Sequence, residues 1–310
     1  MPEVMLRTIS GPVRVAAITG AVLPHEHLRT DTRWAVGIDS DPYRWLDEER
    51  AVIAELRELR ELRACDDPLG LVVELTSLGA GRDAGALARI AAGSRVPVIA
   101  ATGLSTEPFS GHLPGVRDAD VDTLTGLLMA DILNGMDDTG VFPGVIGEVG
   151  CWGPRPTPAE ERALMAAARA ALSSRLSVAT YGQDALAMLE LLMIEGLPPS
   201  RVSVGYAGAD PAAARKIAES GAYVSLGSTG MGAERAAAVA LDLIGEGHAA
   251  RLLLSSGVSR VAQLRAYGGA GYGHLPAEVL PRLRAAGVAA ETIRAITHDN
   301  PLRWLTDGMG

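Results

Sequence analysis

The chain has 310 residues, 48% of them hydrophobic and 21% charged, with a formal net charge of −9, which is enough for one large folded unit with a sizeable core. The acidic balance argues against nucleic acid and anionic membrane surfaces as partners, and 4% aromatic residues argue against an extended sugar-stacking groove. Two cysteines, Cys65 and Cys151, are too few for a disulfide framework and suit a reducing cytoplasm. The first seven residues lack the basic-then-apolar order of a signal peptide, and no apolar run reaches the roughly 18 residues of a membrane helix.

Along the chain, short β-branched apolar runs alternate with Ala/Leu/Arg/Glu-rich helical stretches. The strand candidates are 15–23, 71–75, 98–102, 145–148, 177–180, 202–206, 222–226 and 252–255. Helical patterns fall between them over 47–64, 84–92, 158–173, 183–195, 211–220 and 233–246. Thr157-Pro158-Ala-Glu160 combines an N-cap threonine, proline at the first helical position and glutamate at the third, and Asp210-Pro211 opens its helix with an aspartate cap. Strand–helix alternation implies a parallel sheet. Eight units over 1–310 predict a single-domain α/β fold, a closed (β/α)8 TIM barrel; a doubly wound open sheet is the structural alternative. Residues 30–42 and 105–121 read as longer loops after strands one and three, and 280–310 as a closing helical pair.

Chemistry in such barrels collects at the C-terminal ends of the strands. Strand one ends in His25-Glu26-His27, and in a strand residues two apart share a side, so both imidazoles can face one ion. Strand four delivers Glu148 from Gly147-Glu148-Val-Gly150. Strands five and six end in Tyr181 and Tyr206, and strand eight in Ser255-Ser256-Gly257.

In these pieces the chain resembles the phosphotriesterase family of the amidohydrolase superfamily. The matching stretches are Gly11-Pro12, Leu23-Pro-His-Glu-His-Leu28, Gly79-Ala-Gly-Arg-Asp83, Ala101-Thr-Gly103, Gly144-Val-Ile-Gly-Glu-Val-Gly150, Gly221-Ala-Tyr223, Tyr267-Gly-Gly-Ala-Gly-Tyr272 and Asn300-Pro301. The resemblance implies two divalent metals, usually zinc. A His-x-His and a strand-eight aspartate hold one; histidines ending strands five and six hold the other. A carboxylated lysine or a glutamate from strand four bridges them, and the aspartate takes the proton of the attacking hydroxide. Carried onto this chain, His25 and His27 match, and Glu148 matches the glutamate bridge. The one lysine, Lys216, lies in the helix after strand six. Tyr181, Tyr206 and Gly257 stand where three further ligands are expected.

Neutral tyrosine is a poor zinc ligand beside imidazole, and glycine offers none. The expectation is therefore one divalent metal at most on His25, His27 and Glu148, zinc before ferrous iron, or no metal. His112 and His274 follow strands three and eight on the active face and are candidate replacement ligands; His248 and His298 read as structural. Hydrogen-bonded or ion-paired relics remain the alternative for His25, His27 and Glu148, and packing for the tyrosines. An Arg82–Asp83 pair reads as structural, Arg260 as a surface or helix-start arginine with anion binding as the alternative, and Cys151 as a small buried residue before a reactive thiol.

Three readings follow. The first is a hydrolase of an ester, lactone, amide or phosphoester of a small molecule, with Glu148, Tyr181 and Tyr206 in the catalytic set. The second is a metal-independent or mononuclear lyase, isomerase or cyclase acting on a small specialised metabolite through the same acid–base groups. The third is a noncatalytic binding protein on an inactivated barrel. The partners expected are a small-molecule substrate and, from the resemblance, a second copy in a homodimer.

Overall fold

The computed structural model describes residues 3–33, 35, 45–62, 68–206 and 210–309, apart from the Tyr206 side chain. A hairpin of β1 (Met5–Thr8) and β2 (Gly11–Arg14) comes first, followed by β3 (Ala21–Glu26). Two short strands, β4 (Thr30–Asp31) and β5 (Trp45–Leu46), pair antiparallel, and helix α1 (Glu49–Glu61) follows. The chain then alternates: β6 (Leu69–Glu74), α2 (Ala84–Ser94), β7 (Val98–Thr102), α3 (Glu107–Ser110), α4 (Val121–Asn134), β8 (Val145–Cys151), α5 (Pro158–Ser174), β9 (Val178–Gly182), α6 (Ala185–Ile194), β10 (Val202–Tyr206), α7 (Pro211–Glu219), β11 (Tyr223–Gly227), α8 (Ser228–Met231), α9 (Ala233–Gly245) and β12 (Leu252–Ser255).

Eight of these strands form one parallel sheet in the order β12-β11-β10-β9-β8-β7-β6-β3. It curls into the nearly closed (β/α)8 barrel that strand–helix alternation predicts. Two apolar layers follow from strand alternation. Val22, Leu71, Ile99, Val145, Tyr223 and Leu253 fill the barrel, while Leu23, Val72, Val98, Ile146, Val178 and Leu252 face the helices. Leu6 of the hairpin and Trp304 near the C-terminus close the bottom of the inner layer. The hairpin is tied there by Ile9 N–H to the Val98 carbonyl at 2.8 Å, and Trp304 by the Ser177 hydroxyl to its carbonyl at 2.5 Å.

The predicted helix starts are present: Thr157 and Glu160 form a reciprocal capping box, and Asp210 caps α7. The first strand departs from expectation. Residues 15–17 form a single turn, and the strand begins at Ala21. Gly20 explains the shift: its φ is +90°, and a Cβ there would lie 1.9 Å from the Pro68 carbonyl oxygen. The strand therefore runs through His25 and Glu26. Residues 105–121 are not all loop, since they carry α3, and the closing segment is the expected helical pair: Leu280–Ala285, then a second run in which Ala290–Arg294 continues through a π turn at Ala295–Asp299 into Asn300–Thr306. Cys65 lies outside the described residues, as do residues 63 and 64 of the first predicted helix and most of the 30–42 loop.

Strands β3 and β12 are neighbours across the seam, and a side chain joins them. The fully buried Glu26 carboxylate accepts from the Ser255 hydroxyl (2.7 Å) and from the backbone N–H groups of Ser256 (2.8 Å), Gly257 (2.9 Å) and Val258 (2.8 Å). His25 N–H donates to the Ser255 hydroxyl at 3.2 Å, and His27 N–H to the Val258 carbonyl at 3.0 Å. Burial pushes the Glu26 carboxyl above its ordinary range, and these donors work against that. Hydrogen bonds to a charged acceptor contribute about 1.5–3 kcal/mol each, and an orphaned buried donor costs about 1–3 kcal/mol. Glu26→Gln turns an N–H₂ group onto N–H donors, so it should lower the unfolding free energy in urea by roughly 3–5 kcal/mol. Amide exchange should accelerate first at Ser256–Val258.

Candidate metal centre

The strand-one bulge between Leu23 and Glu26 turns both imidazoles over the barrel mouth. His25 is buried and His27 nearly so. His25 Nε2 lies 2.8 Å from Glu148 Oε2, and His27 Nε2 lies 3.6 Å from the same oxygen. His27 Nδ1 is held at 3.0 Å by the Thr76 hydroxyl, which leaves Nε2 for the cluster. The Tyr272 hydroxyl donates to the His27 carbonyl at 2.7 Å and steadies its backbone.

Glu148 is delivered by β8. Its N–H donates to the Leu75 carbonyl (2.9 Å), and its carbonyl accepts the Ser77 hydroxyl (2.9 Å), so the exit of β6 fixes it from both sides. The preceding Gly147 has φ +138°, and a Cβ there would sit 2.4 Å from the Ala179 carbonyl oxygen. Gly205 makes room for the imidazole: a Cβ on it would stand 3.1 Å from His25 Cε1 and 3.1 Å from Tyr181 Cδ2. The Tyr181 ring stands edge-to-face on His25 with centroids 5.7 Å apart.

Electrostatics agree with a cation-binding cluster. Desolvation alone would raise the Glu148 carboxyl, but the hydrogen bonds and charges of His25 and His27 overcome it and hold it at about 2. For His27, desolvation lowers the pKa and the Glu148 hydrogen bond and charge raise it further than that, aided by Glu74 and Glu26; the net shift is upward. Burial pushes the Tyr181 phenol up, and the Glu148 carboxylate adds to this, so the hydroxyl stays a donor at neutral pH.

His25, His27 and Glu148 each bring one ligand atom within 4.8 Å of the others, the one such group of three among the described residues. Two Nε2 atoms and a carboxylate oxygen converge, with a hydroxyl already set on the far nitrogen of His27. This donor set fits one divalent ion with open positions. His112 is exposed and His274 hydrogen-bonds to Ser228 at 2.8 Å; neither joins the group. His298 spans Asp299 (2.8 Å) and the Ile18 carbonyl (3.1 Å) at the barrel bottom. At the strand-eight position Gly257 has φ +71°, and a Cβ would come within 3.0 Å of Gly227 Cα, so a side chain there is strained. Tyr206 ends β10, and its side chain lies outside the described ones.

One other expectation, the Arg82–Asp83 pair, needs correction. Arg82 does not pair with Asp83: its buried guanidinium binds Asp131 (2.6 Å) and Asp137 (2.7 Å), while Asp83 caps α2 through Ala86 N–H (2.8 Å). Cys151 is buried, its thiol is pushed up by that burial, and it accepts from Asp184 N–H at 3.4 Å, the surroundings of an inert thiol. Sequence reasoning gave no role to Glu26 or Thr76. For Glu26 the signal was a carboxylate inside an apolar strand, which must find donors once buried.

A family model described as the phosphotriesterase family matches residues 4–305. A phosphotriesterase homology protein of Mycobacterium tuberculosis is 29% identical over 326 residues, covering 98% of this chain and 97% of that protein. An N-acetyltaurine hydrolase of Salmo salar is 29% identical over 283 residues, covering 84% and 78%. The crystal structure of the Escherichia coli phosphotriesterase homology protein, with phosphate in its active site, superposes with a TM-score of 0.83 at 28% identity, covering 93% of this chain and 99% of that one. A lactonase from Listeria monocytogenes shares the fold at a TM-score of 0.86 and 21% identity, covering 98% and 99%.

Protons compete with a metal for both imidazoles. Because His27 is raised above 6.5 in the metal-free protein, zinc uptake in equilibrium dialysis should begin to weaken on acidification from pH 8 before pH 6.5 is reached. Proton release on zinc addition, followed by pH-stat, should grow over the same interval.

Proposed function

This chain belongs to the phosphotriesterase family, and from that premise we propose a mononuclear hydrolase that cleaves an ester, lactone, amide or phosphoester of a small molecule. The observation that carries this reading is the convergence of His25 Nε2, His27 Nε2 and Glu148 Oε2 at the mouth of the barrel. Zinc is the ion proposed, since imidazole and carboxylate donors suit it. An ion held there supplies Lewis acidity to the scissile group and lowers the pKa of water toward neutrality.

The protein's own residues supply the rest. Thr76 holds the His27 tautomer with Nε2 toward the cluster. Glu148, at about 2, is ionised throughout the physiological range and is a better ligand than base, because a base that weak has little proton affinity. Tyr181, kept protonated, donates a hydrogen bond to the oxygen on which negative charge develops. Tyr206, which ends the adjacent strand, is proposed as a further member of the catalytic set. Gly257 offers no side chain to take a proton, which favours substrates with activated leaving groups.

Two relatives support the class of reaction. One is named for hydrolysing N-acetyltaurine, an amide, and the Escherichia coli protein holds phosphate, an oxyanion, in its active site. A cytoplasmic setting and a homodimer are part of the same proposal. They rest on the low cysteine content and on family habit; no helix among the described residues is long and apolar enough to cross a membrane.

A second reading has its own observation. The His25–Glu148 pair at 2.8 Å is an acid–base dyad in its own right, and with Tyr181 it suits a metal-free isomerisation or elimination. Metal analysis of protein purified without chelator or added metal separates the two. About one ion per chain is expected, lost in Glu148→Gln. Two ions per chain would overturn the mononuclear assignment, and none would favour the dyad. Tyr181→Phe should lower kcat on a 4-nitrophenyl ester on the order of 10²-fold with little change in KM, the signature of a donor used in the transition state.

A further inference from the structure

A buried carboxylate beside the cluster has no part in the chemistry above. Glu74 ends β6, opposite Glu26 in the strand register, and is fully buried. Its Oε1 accepts the Leu28 N–H at 3.3 Å, while Oε2 lacks a hydrogen bond of ordinary geometry among the described residues. Burial pushes this carboxyl up to about 7; the charge of His27, the Thr76 hydroxyl and the N–H groups of Leu28 and Thr76 all draw it down. Thr76 is itself fully buried, and its hydroxyl lies 3.0 Å from His27 Nδ1. Glu74 meets Leu28 and Thr76 meets His27, so two consecutive residues at the exit of β3 are held by two side chains from the exit of β6.

A threonine hydroxyl has one proton to give. Given to His27, it makes Nδ1 an acceptor, and a neutral imidazole must then carry its proton on Nε2, where it blocks an ion. Given to Glu74, it leaves an oxygen lone pair toward His27, which must carry its own proton on Nδ1 and keep Nε2 bare. The distances put the choice at Nδ1: it is 3.0 Å from the hydroxyl, whereas Nε2 is 3.6 Å from Glu148 Oε2, an oxygen that His25 already meets at 2.8 Å. An ionised carboxylate only accepts, and a buried one without donors is costly, so the hydroxyl proton belongs on Glu74.

We propose that Glu74 is the positioning residue of His27: it takes the Thr76 hydroxyl proton and so compels the imidazole to carry its proton on Nδ1 and present a bare Nε2 to the cluster. The proposal rests on the mononuclear reading only in naming the ion that Nε2 receives. The test compares the wild type, Glu74→Gln, Thr76→Val and the double variant at pH 9, above the range of Glu74. Zinc affinity is measured by competition with a chromophoric chelator. The ring nitrogens of His27 in the metal-free protein are read by 15N NMR, assigned by loss in His27→Gln. In Glu74→Gln the amide oxygen keeps the Leu28 N–H and the N–H₂ group faces the Thr76 oxygen, which turns the hydroxyl proton onto Nδ1. Zinc affinity should fall on the order of 10- to 100-fold, and the ring proton should move from Nδ1 to Nε2. Thr76→Val should weaken zinc binding, and adding Glu74→Gln to it should cost nothing more. Unchanged affinity in Glu74→Gln, an unchanged tautomer, or an equal loss in the Thr76→Val background overturns the proposal; the last is what a merely structural role gives. If Glu74→Gln does not fold, or the wild type takes up no zinc and the mononuclear reading falls, the ring spectra of the wild type and Thr76→Val decide. A proton fixed on Nδ1 in the wild type alone upholds the proposal, and any other pattern overturns it.

Discussion

The Glu26 carboxylate is the interaction on which the rest depends. A barrel whose first and last strands are not paired along their length needs another closure, and here one buried side chain collects four donors from the exit of β12. Glu26 sits between His25 and His27, so closing the seam also places both imidazoles. Stability and site geometry are therefore not separable at this point in the chain: the group that satisfies the backbone of Ser256–Val258 is the one that fixes where the two Nε2 atoms aim. Gly257 belongs to the same arrangement. Its N–H serves Glu26, and its left-handed backbone strains any side chain there, so the strand that closes the barrel brings no side chain to the mouth at this position.

The His25–His27–Glu148 cluster follows from a balance of burial and charge. Glu148 would titrate high in its partly buried position but for two imidazoles, and His27 would titrate low but for the carboxylates around it. Each stabilises the charged form of the other, and a divalent ion can replace the proton in that relation. Tyr181 responds to the same carboxylate in the opposite sense and keeps its proton. The result is a phenol, two imidazoles and a carboxylate gathered at the exits of β3, β8 and β9.

Much of this was legible because period and spacing carry it. Apolar runs of strand length alternating with capped helices leave few topologies other than a barrel, and the boundaries of β7, β10 and β12 coincide with their apolar runs. His25, His27 and Glu148 were legible because the strand ends of a barrel converge. The first strand was misplaced because its apolar run begins before Gly20, and the steric demand of Pro68 on that glycine is a long-range contact. The Arg82 partners were missed for the same reason: Asp131 and Asp137 are 49 and 55 residues away, and local spacing pointed to Asp83. Thr76 escaped notice because a threonine at a strand end carries no pattern until a histidine is brought to it.

The bottom of the barrel has a practical consequence. The hairpin of residues 5–14 and the segment carrying Trp304 both seal the end opposite the mouth, and Leu6 and Trp304 share one apolar cluster with the inner core. A tether attached at the hairpin or beside Trp304 would present the molecule to a support base-down, with the mouth of the barrel turned to the solution. Orientation on a sensor or resin is then set by which end of the barrel those two segments cover.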